Sequence, residues 1–417
     1  MNPVIRSVGF AYWMNLLLFA AGLFVAWHAH RPEVIWQNYG DPKDYLHQSR
    51  IPITTGTFWA PEKSEGSLSL LPFLHRAVAK YVFLIGWYLL MMWWNILGWA
   101  SMPLSESLSA SLMFLWLASF LQATRKRTII WIVLHCLVTV LFSFTRDNWL
   151  YMLLAFYASY LVIGVLRERT LVKMSVGMLL FSLATFVLQQ HTANVGQRYR
   201  LPVINNIVFR ILPRPEYLRW FEQHGMPQAR QLKEKYSITD GQIWKIYPLY
   251  DDPEFTAFST WVLQHGRRVY SEFLLAHPSV RFLADQERLE LERMFAYNTY
   301  YIGKPKNFSW ICDVIFPVPL VVAGAMLAAL LYVSRRVKTN VWIFPLVLML
   351  AFAVNAWLAY LADPLEIERH EYLTVTSFQF IGLLSLTYIL DSLLKTQTQN
   401  AAYPIIDGTN SANARRE

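Results

Sequence analysis

The stretch NYGDPKDYLHQSRIPITTG, residues 38–56, holds two carboxylates in a setting that suits proton transfer. Asp41 lies in a turn between Gly40 and Pro42, which presents its side chain at a fixed angle. Asp44 and Tyr45 follow within four positions. The stretch leaves the first long apolar run of the chain, so one reading is a catalytic base at a membrane surface. The other is a solvated loop whose acids have no special task. Cations suited to a phosphate stand elsewhere: Arg146 in FTRDN, Arg369 and His370 in DPLEIERHEY, and Arg210 with Arg214 in FRILPRPEY. An arginine fork offers phosphate two parallel charge-assisted hydrogen bonds. The plainer readings are interfacial arginines with snorkelling stems, or pairs of Arg146 with Asp147 and of Arg369 with Glu368. His370 has the plainer reading of an ordinary interfacial histidine.

Other polar residues carry weaker signals. Glu106 follows Ser105 where ordinary helix N-terminal residues are expected. His135 lies inside an apolar run, where a neighbouring helix more often satisfies a histidine than chemistry uses it. Asp251 and Asp252, in YPLYDDPEF, could hold a divalent ion, but such acids more often cap the following helix, and two acids make a poor calcium site. No Cys/His cluster has zinc spacing. Cys136 and Cys312, each within or beside an apolar run, do not read as a bridged pair. No metal site is assigned, no cofactor is called for, and a divalent cation stays open. A glycine-rich phosphate loop and a DxD acid triplet are both absent, which argues weakly against a metal-dependent nucleotide-sugar enzyme.

The elements that must position these residues are apolar helices. The 417-residue chain is only 16% charged, against roughly 25% for a soluble domain. Its 17 tryptophans, 22 tyrosines and 26 phenylalanines suit contact with lipid headgroups. The net charge of +9 falls largely in short clusters between apolar runs, so nucleic acid is set aside. A spanning helix needs about 20 mostly apolar residues. Nine segments approach this, at 8–27, 81–101, 108–123, 128–144, 149–166, 174–190, 314–333, 341–361 and 373–394. The first has no small-residue cleavage site after it and reads as a retained helix.

The basic loops at Arg125–Arg127, at Arg167, Arg169 and Lys173, and at Arg335, Arg336 and Lys338 should face the cytoplasm. The turn 144–148, the segment 191–313 and the turn 363–372 then share the outer side. Nine spans would put the 28–65 loop inside. An outer position needs a tenth pass, and only 66–101 could supply it, with His75, Arg76 and Lys80 at or near its turn. The prediction is therefore a mainly α, polytopic α-helical integral membrane protein with nine or ten transmembrane helices and a mostly helical extracytoplasmic segment.

Its expected parts are an N-terminal transmembrane module at 1–190, with the 28–65 loop as its first outer loop, a soluble segment at 191–313, C-terminal membrane helices at 314–394 and a disordered tail at 395–417. Within the soluble segment, DPEFTAFSTWVLQHGRRVYSEFLLAH and HPSVRFLADQERLELERMFAY show helical spacing. YRLPVINNIVFRILPRPEYLRWFEQHGMP, with four prolines, reads as an irregular surface lying against the membrane or capping a groove.

The acid of GDPKDY, a tyrosine four positions on, and the later glycine, aromatics and proline-bearing apolar stretch resemble the first outer loop of the membrane-embedded GT-C glycosyltransferases. DPLEIERHEYLTVTSFQFIGLLSLTYIL is similar to that family's late motif, in which an arginine and an aromatic or histidine precede a final helix. SESLSASLMFLWLASFLQATRKR and FTRDNWLYMLLAFY are similar to its middle helices. The resemblance covers 1–190 and 314–394. It implies transfer of a hexose or pentose from a polyprenyl-phosphate donor to a glycan, lipid or protein acceptor at the outer face. Asp41 would be the general base, Asp44 and Tyr45 would position it or the sugar, and Arg146, Arg369 and His370 would hold the phosphate; Arg210 and Arg214, in the soluble segment outside the resemblance, are further candidates for it. The implied partners are the lipid-linked donor, membrane lipids and the acceptor, in a bacterial inner membrane. A lipid-linked glycan polymerase or ligase would use the outer arginines and histidine without needing Asp41. A membrane scaffold or transport subunit would need neither, and the transport version ranks last because the chain shows no repeat halves.

Overall fold

The computed structural model describes residues 77–92, 105–167, 169–236, 243–281, 319–337, 339–364 and 367–402. Among these the regular elements are all helical. The bundle helices are α1 (Ala77–Met92), α2 (Ser105–Lys126), α3 (Ile129–Ser143), α4 (Trp149–Arg167) and α5 (Arg169–Val195). A helical cap follows. It runs through α6 (Arg200–Asn206), a π turn (Ile207–Ile211), α7 (Pro215–Gln223) and α8 (Ala229–Tyr236). It continues through two 3-10 segments (Ile243–Asp251 and Pro253–Phe255), α9 (Thr256–Trp261), a second π turn (Val262–Gly266), α10 (Arg267–Ala276) and α11 (Pro278–Arg281). The chain then returns to the bundle through α12 (Pro319–Arg336), α13 (Ile343–Ala362) and α14 (Ile367–Ala402).

Four helices among the described residues are long and apolar enough to cross a membrane: Trp149–Leu166, Val172–Val195, Ile343–Ala362 and Leu373–Leu394. The last is the axis of the bundle. Of its apolar window 83% is buried, against 28% for Val172–Val195 at the periphery. It packs on α12, α13, α1 and α2. Gly86 lets α1 approach this axis, because a Cβ there would collide with Leu383. Small residues allow such backbone approach between apolar helices. Aromatic rings fill the centre, with Trp87 edge-on to Phe114 and Phe380, and Phe120 edge-on to Phe156 and Tyr160.

The bundle and cap arrange their apolar residues in opposite senses. In α3, Ile129, Ile130, Val133, Leu137 and Leu141 point outward while His135, Thr139 and Ser143 are buried. This stripe recurs about every four residues on the face turned away from the bundle, as a helix bordering lipid requires. In the cap, Tyr217, Leu218 and Phe221 of α7 and Val269, Tyr270 and Phe273 of α10 turn inward. They share a core with Ile204, Val208, Leu232, Ile246, Phe255 and Phe258.

The structure differs from the sequence expectations at four places. The four-proline stretch is helical, because its prolines stand where helices tolerate them. Pro202 is in the first turn of α6, Pro215 is the first residue of α7, and Pro213 and Pro227 lie in turns. Gly225, at φ +83°, closes α7, with Met226 N–H donating to Phe221 O and Gly225 N–H to Glu222 O. The turn expected at 363–372 is shorter, since α14 begins at Ile367. The tail expected to be disordered from 395 starts as helix, and α14 runs to Ala402. Extending an existing helix adds a hydrogen bond per residue without a new nucleus. Similarly, α5 continues to Val195, past the expected boundary at 190.

Candidate functional site at one end of the bundle

Three connections hold the α3–α4 turn, the end of α5 and the end of α13 together. Gln189 of α5 donates to the Ser143 carbonyl (2.7 Å) and to Asp147 Oδ1 (3.2 Å). Asn148 donates to Asn355 of α13 (3.2 Å), and Asn355 donates to Thr374 of α14 (3.2 Å). Arg198, just after α5, forms an ion pair with Asp147 at 3.0 Å. The basic clusters Arg125–Lys126, Arg167 and Arg335–Arg336 end α2, α4 and α12 instead. The chain reverses after each of them, so they belong to the opposite end.

The cap is fastened to this end through the C-terminus of α13. The last four carbonyls of a helix have no intrahelical partner, and here each is taken. Ala359 O accepts from the Asp363 N–H at 3.1 Å. Tyr360 O accepts from Arg210 Nη2 at 2.6 Å, and Leu361 O lies 3.3 Å from Arg210 Nη1. Ala362 O accepts from Asn206 Nδ2 at 2.6 Å. Tyr270 places its hydroxyl 2.7 Å from Leu361 O and 2.8 Å from Asn206 Oδ1, and its one proton serves one of them at a time. Asn205 donates to Asp363 (3.0 Å) and accepts from the Tyr250 hydroxyl (2.6 Å).

Arg210 is 3% exposed and stacks 4.3 Å from the centre of the Tyr360 ring. Its charge also complements the negative end of the α13 dipole. Burial pushes the Tyr270 phenol up while Arg210 pulls it down, so the hydroxyl stays protonated as a donor.

A more open cluster lies on the rim. Arg267 donates to Asn194 Oδ1 (2.8 Å) and Gln190 Oε1 (2.5 Å), and Arg268 holds Glu272 at 3.0 Å. Burial pushes the Asp147 carboxyl up, against the opposing pull of Arg198 and Arg267.

Of the residues singled out in the sequence, Asp41, Asp44 and Tyr45 lie outside the described residues. Arg146 is in the α3–α4 turn and half-buried. Arg369 and His370 are in the first turn of α14, but their side chains are outside the description. Arg210 belongs to the seam beneath the cap, and its terminal nitrogens bond to Asn206 and the α13 carbonyls. Lys80 falls in the first turn of α1.

His135 is satisfied by neighbouring helices, as its plainer reading had it. Trp116 N–H donates to the Tyr157 oxygen (2.9 Å), and the Tyr157 O–H lies 2.7 Å from His135 Nε2. Nδ1 lies 2.9 Å from Ser119 Oγ, whose own proton goes to Trp116 O (2.9 Å). The donor count assigns the neutral tautomer protonated on Nδ1 and closes the ring.

Asp252 caps the turn at Pro253–Phe255 by accepting from Glu254 N–H. It also receives Lys235 Nζ (2.8 Å) and the Tyr236 hydroxyl (2.6 Å), and these hold its carboxyl down at about 2. The described residues contain no group of three acidic, histidine or cysteine side chains placed to hold a metal.

Sequence reading missed Asn205, Asn206, Tyr270, Gln189, Arg198 and Arg267. The one local signal was Asn206 four residues before Arg210, a helical neighbour spacing that their 2.8 Å contact realises. No protein-family model matches this chain, and no curated protein or solved structure matches it.

Proposed function

We propose that this polytopic α-helical chain transfers a sugar from a polyprenyl-phosphate carrier to an acceptor at the outer membrane face, in the manner of a GT-C glycosyltransferase. Asp41 takes the acceptor proton, with Asp44 and Tyr45 beside it. Arg146, Arg369 and His370 hold the phosphate that leaves. Arg210, which the sequence reading grouped with them, supports the cap over this end.

The observation that carries the reading is the shared end of the bundle. The turn bearing Arg146 is joined to α13 through Asn148 and Asn355, and Asn355 leads to α14 through Thr374. The opposite end carries the arginine and lysine clusters that mark a cytoplasmic side. A positioned general base contributes roughly 10²–10⁴ to rate.

The test places single cysteines at 41, 146 and 369 in a chain lacking Cys136 and Cys312, followed by labelling of intact cells with an impermeant thiol reagent. All three positions are expected to label from outside, and Asp41→Asn is expected to cut sugar transfer at least about a hundredfold. Labelling at 41 only after the membrane is opened, with 146 and 369 labelled directly, would sink the proposal.

A further inference from the structure

The rim holds a polar feature that the sugar-transfer reading does not use. A cavity of about 370 Å³ opens between the end of α5, the turn before α6 and the start of α10. Asn194, Tyr199, Leu263, Gln264, Arg267 and Arg268 line it. The second π turn supplies its back wall. The Tyr199 hydroxyl donates to Leu263 O at 2.9 Å, which fixes that turn against the end of α5. Such turns are frequent at functional sites because they displace side chains from the regular helical positions.

Charge and shape point to one kind of ligand. Arg267 is held by two neutral amides, Asn194 and Gln190, which orient its guanidinium without cancelling its charge. Among the described residues Arg268 pairs with the solvated Glu272 alone, and an exposed pair of that sort is weak and exchangeable. The remaining acid nearby, Asp147, already carries Arg198. Among the described residues, the guanidiniums of Arg198, Arg267 and Arg268 thus stand against the carboxylates of Asp147 and Glu272, and Arg267 and Arg268 line the cavity.

Below the cavity, α5 presents an exposed aliphatic strip. Asn194 lies two turns beyond Val187 and three beyond Leu183, on the same face. Leu180 and Val187 on that strip are 62% and 69% exposed. An anion alone would use the arginines and leave the strip bare, whereas an amphiphile would use both.

We infer that this cavity binds the phosphate group of an anionic membrane phospholipid, with an acyl chain lying along the outer face of α5. The fork of Arg267 receives the phosphate oxygens, Arg268 exchanges Glu272 for them, and Asn194 and Gln264 border the headgroup. The site is separate from the residues assigned to sugar transfer and stands whether or not that reading does.

Native mass spectrometry of the full chain in detergent, titrated with phosphatidylglycerol, phosphatidylcholine or glycerol phosphate, tests this without measuring transfer. Phosphatidylglycerol is expected to bind at least about tenfold more tightly than the other two. Arg268→Gln, at an exposed position, should weaken its binding about threefold, and Arg267→Gln with Arg268→Gln about tenfold or more. Arg336→Gln, at the opposite end, should leave it unchanged. Equal binding by the unaltered chain and by Arg268→Gln overturns the site, so the test survives misfolding of the double variant. Glycerol phosphate binding as tightly as phosphatidylglycerol overturns the lipid assignment and leaves a soluble phosphate ester as the ligand. Equal binding of phosphatidylcholine removes the requirement for net negative charge and overturns it as well.

Discussion

Arg210 and Arg267 occupy the same end of the bundle and each is set by a π turn, yet they are used in opposite ways. Arg210 lies within its turn, 3% exposed, and spends its terminal nitrogens on Asn206 and the α13 carbonyls. Arg267 follows its turn directly, is exposed, and is steadied by side-chain amides. The difference lies in what surrounds the guanidinium. At the seam a helix end offers bare carbonyls that must be satisfied, so the arginine becomes part of the fold. On the rim no such debt exists, and the charge stays available to a ligand. Residue type, and even local backbone geometry, did not distinguish the two.

The largest test of this contrast is Arg210→Met, which keeps bulk but removes the Arg210 donor from the Tyr360 carbonyl and weakens the partnership at Leu361. A buried acceptor left without a donor costs about 1–3 kcal/mol, so a total loss near 3 kcal/mol is expected. It should appear as a lower unfolding midpoint in detergent and faster proteolysis within 200–281. A midpoint unchanged within error would erase the distinction between seam and rim.

Tyr270→Phe is the intermediate case. It removes one hydroxyl from a site where Arg210 already serves Leu361, so about 1 kcal/mol is expected. Combined with Arg210→Met it should depart from additivity, since the two side chains share Asn206 Oδ1 and Leu361 O. A double-mutant cycle summing cleanly would show that the seam is not one network.

The smallest effect belongs to the rim. Asp147→Asn keeps a group able to accept from Gln189 and loses an exposed ion pair, so a change under about 1 kcal/mol is expected. Its pH dependence has a defined sign. The folded Asp147 carboxyl lies above its ordinary value of 3.8, so its contribution is fully present below that value. The contribution is lost as pH rises through the higher folded-state value. Unaltered protein should therefore gain stability relative to Asp147→Asn as pH falls toward about 4. A difference that shrank in that direction would put Arg198 and Arg267, rather than burial, in command of this carboxyl.

Much of the architecture was legible because it depends on local pattern. The apolar segments at 128–144, 149–166 and 341–361 are helices within a few residues of their expected bounds, and the basic clusters fall at helix ends on one side. Asp252 was readable as a cap because its acceptor role needs only the residues that follow it. The seam was not readable. Arg210 meets Tyr360 and Leu361 across 150 residues, and its partners are backbone oxygens, which no residue type announces. The prolines misled for a related reason. Their effect depends on whether they fall at the start of a helix or inside it, and their number does not reveal that. The two π turns leave no trace in the apolar spacing, so the difference between Arg210 and Arg267 emerges only in three dimensions.

Viewed as a matter of length, the turn at Val262–Gly266 is a helix carrying one residue more than a regular α turn would hold. Such a surplus makes the segment tolerant of a kind of change that most helices resist. Removing a single residue there would let the backbone close into ordinary α-helix without breaking it. The price would fall on direction, because the residues on one side would swing by about 100° relative to the other. Arg267 and Arg268 would turn away from Asn194, or the core positions Phe258 and Trp261 would leave the cap interior. Descendants of this chain that differ by one residue in this turn would thus keep their helices and exchange one surface for another, making the turn a place where length variation alone can rewrite what the rim binds.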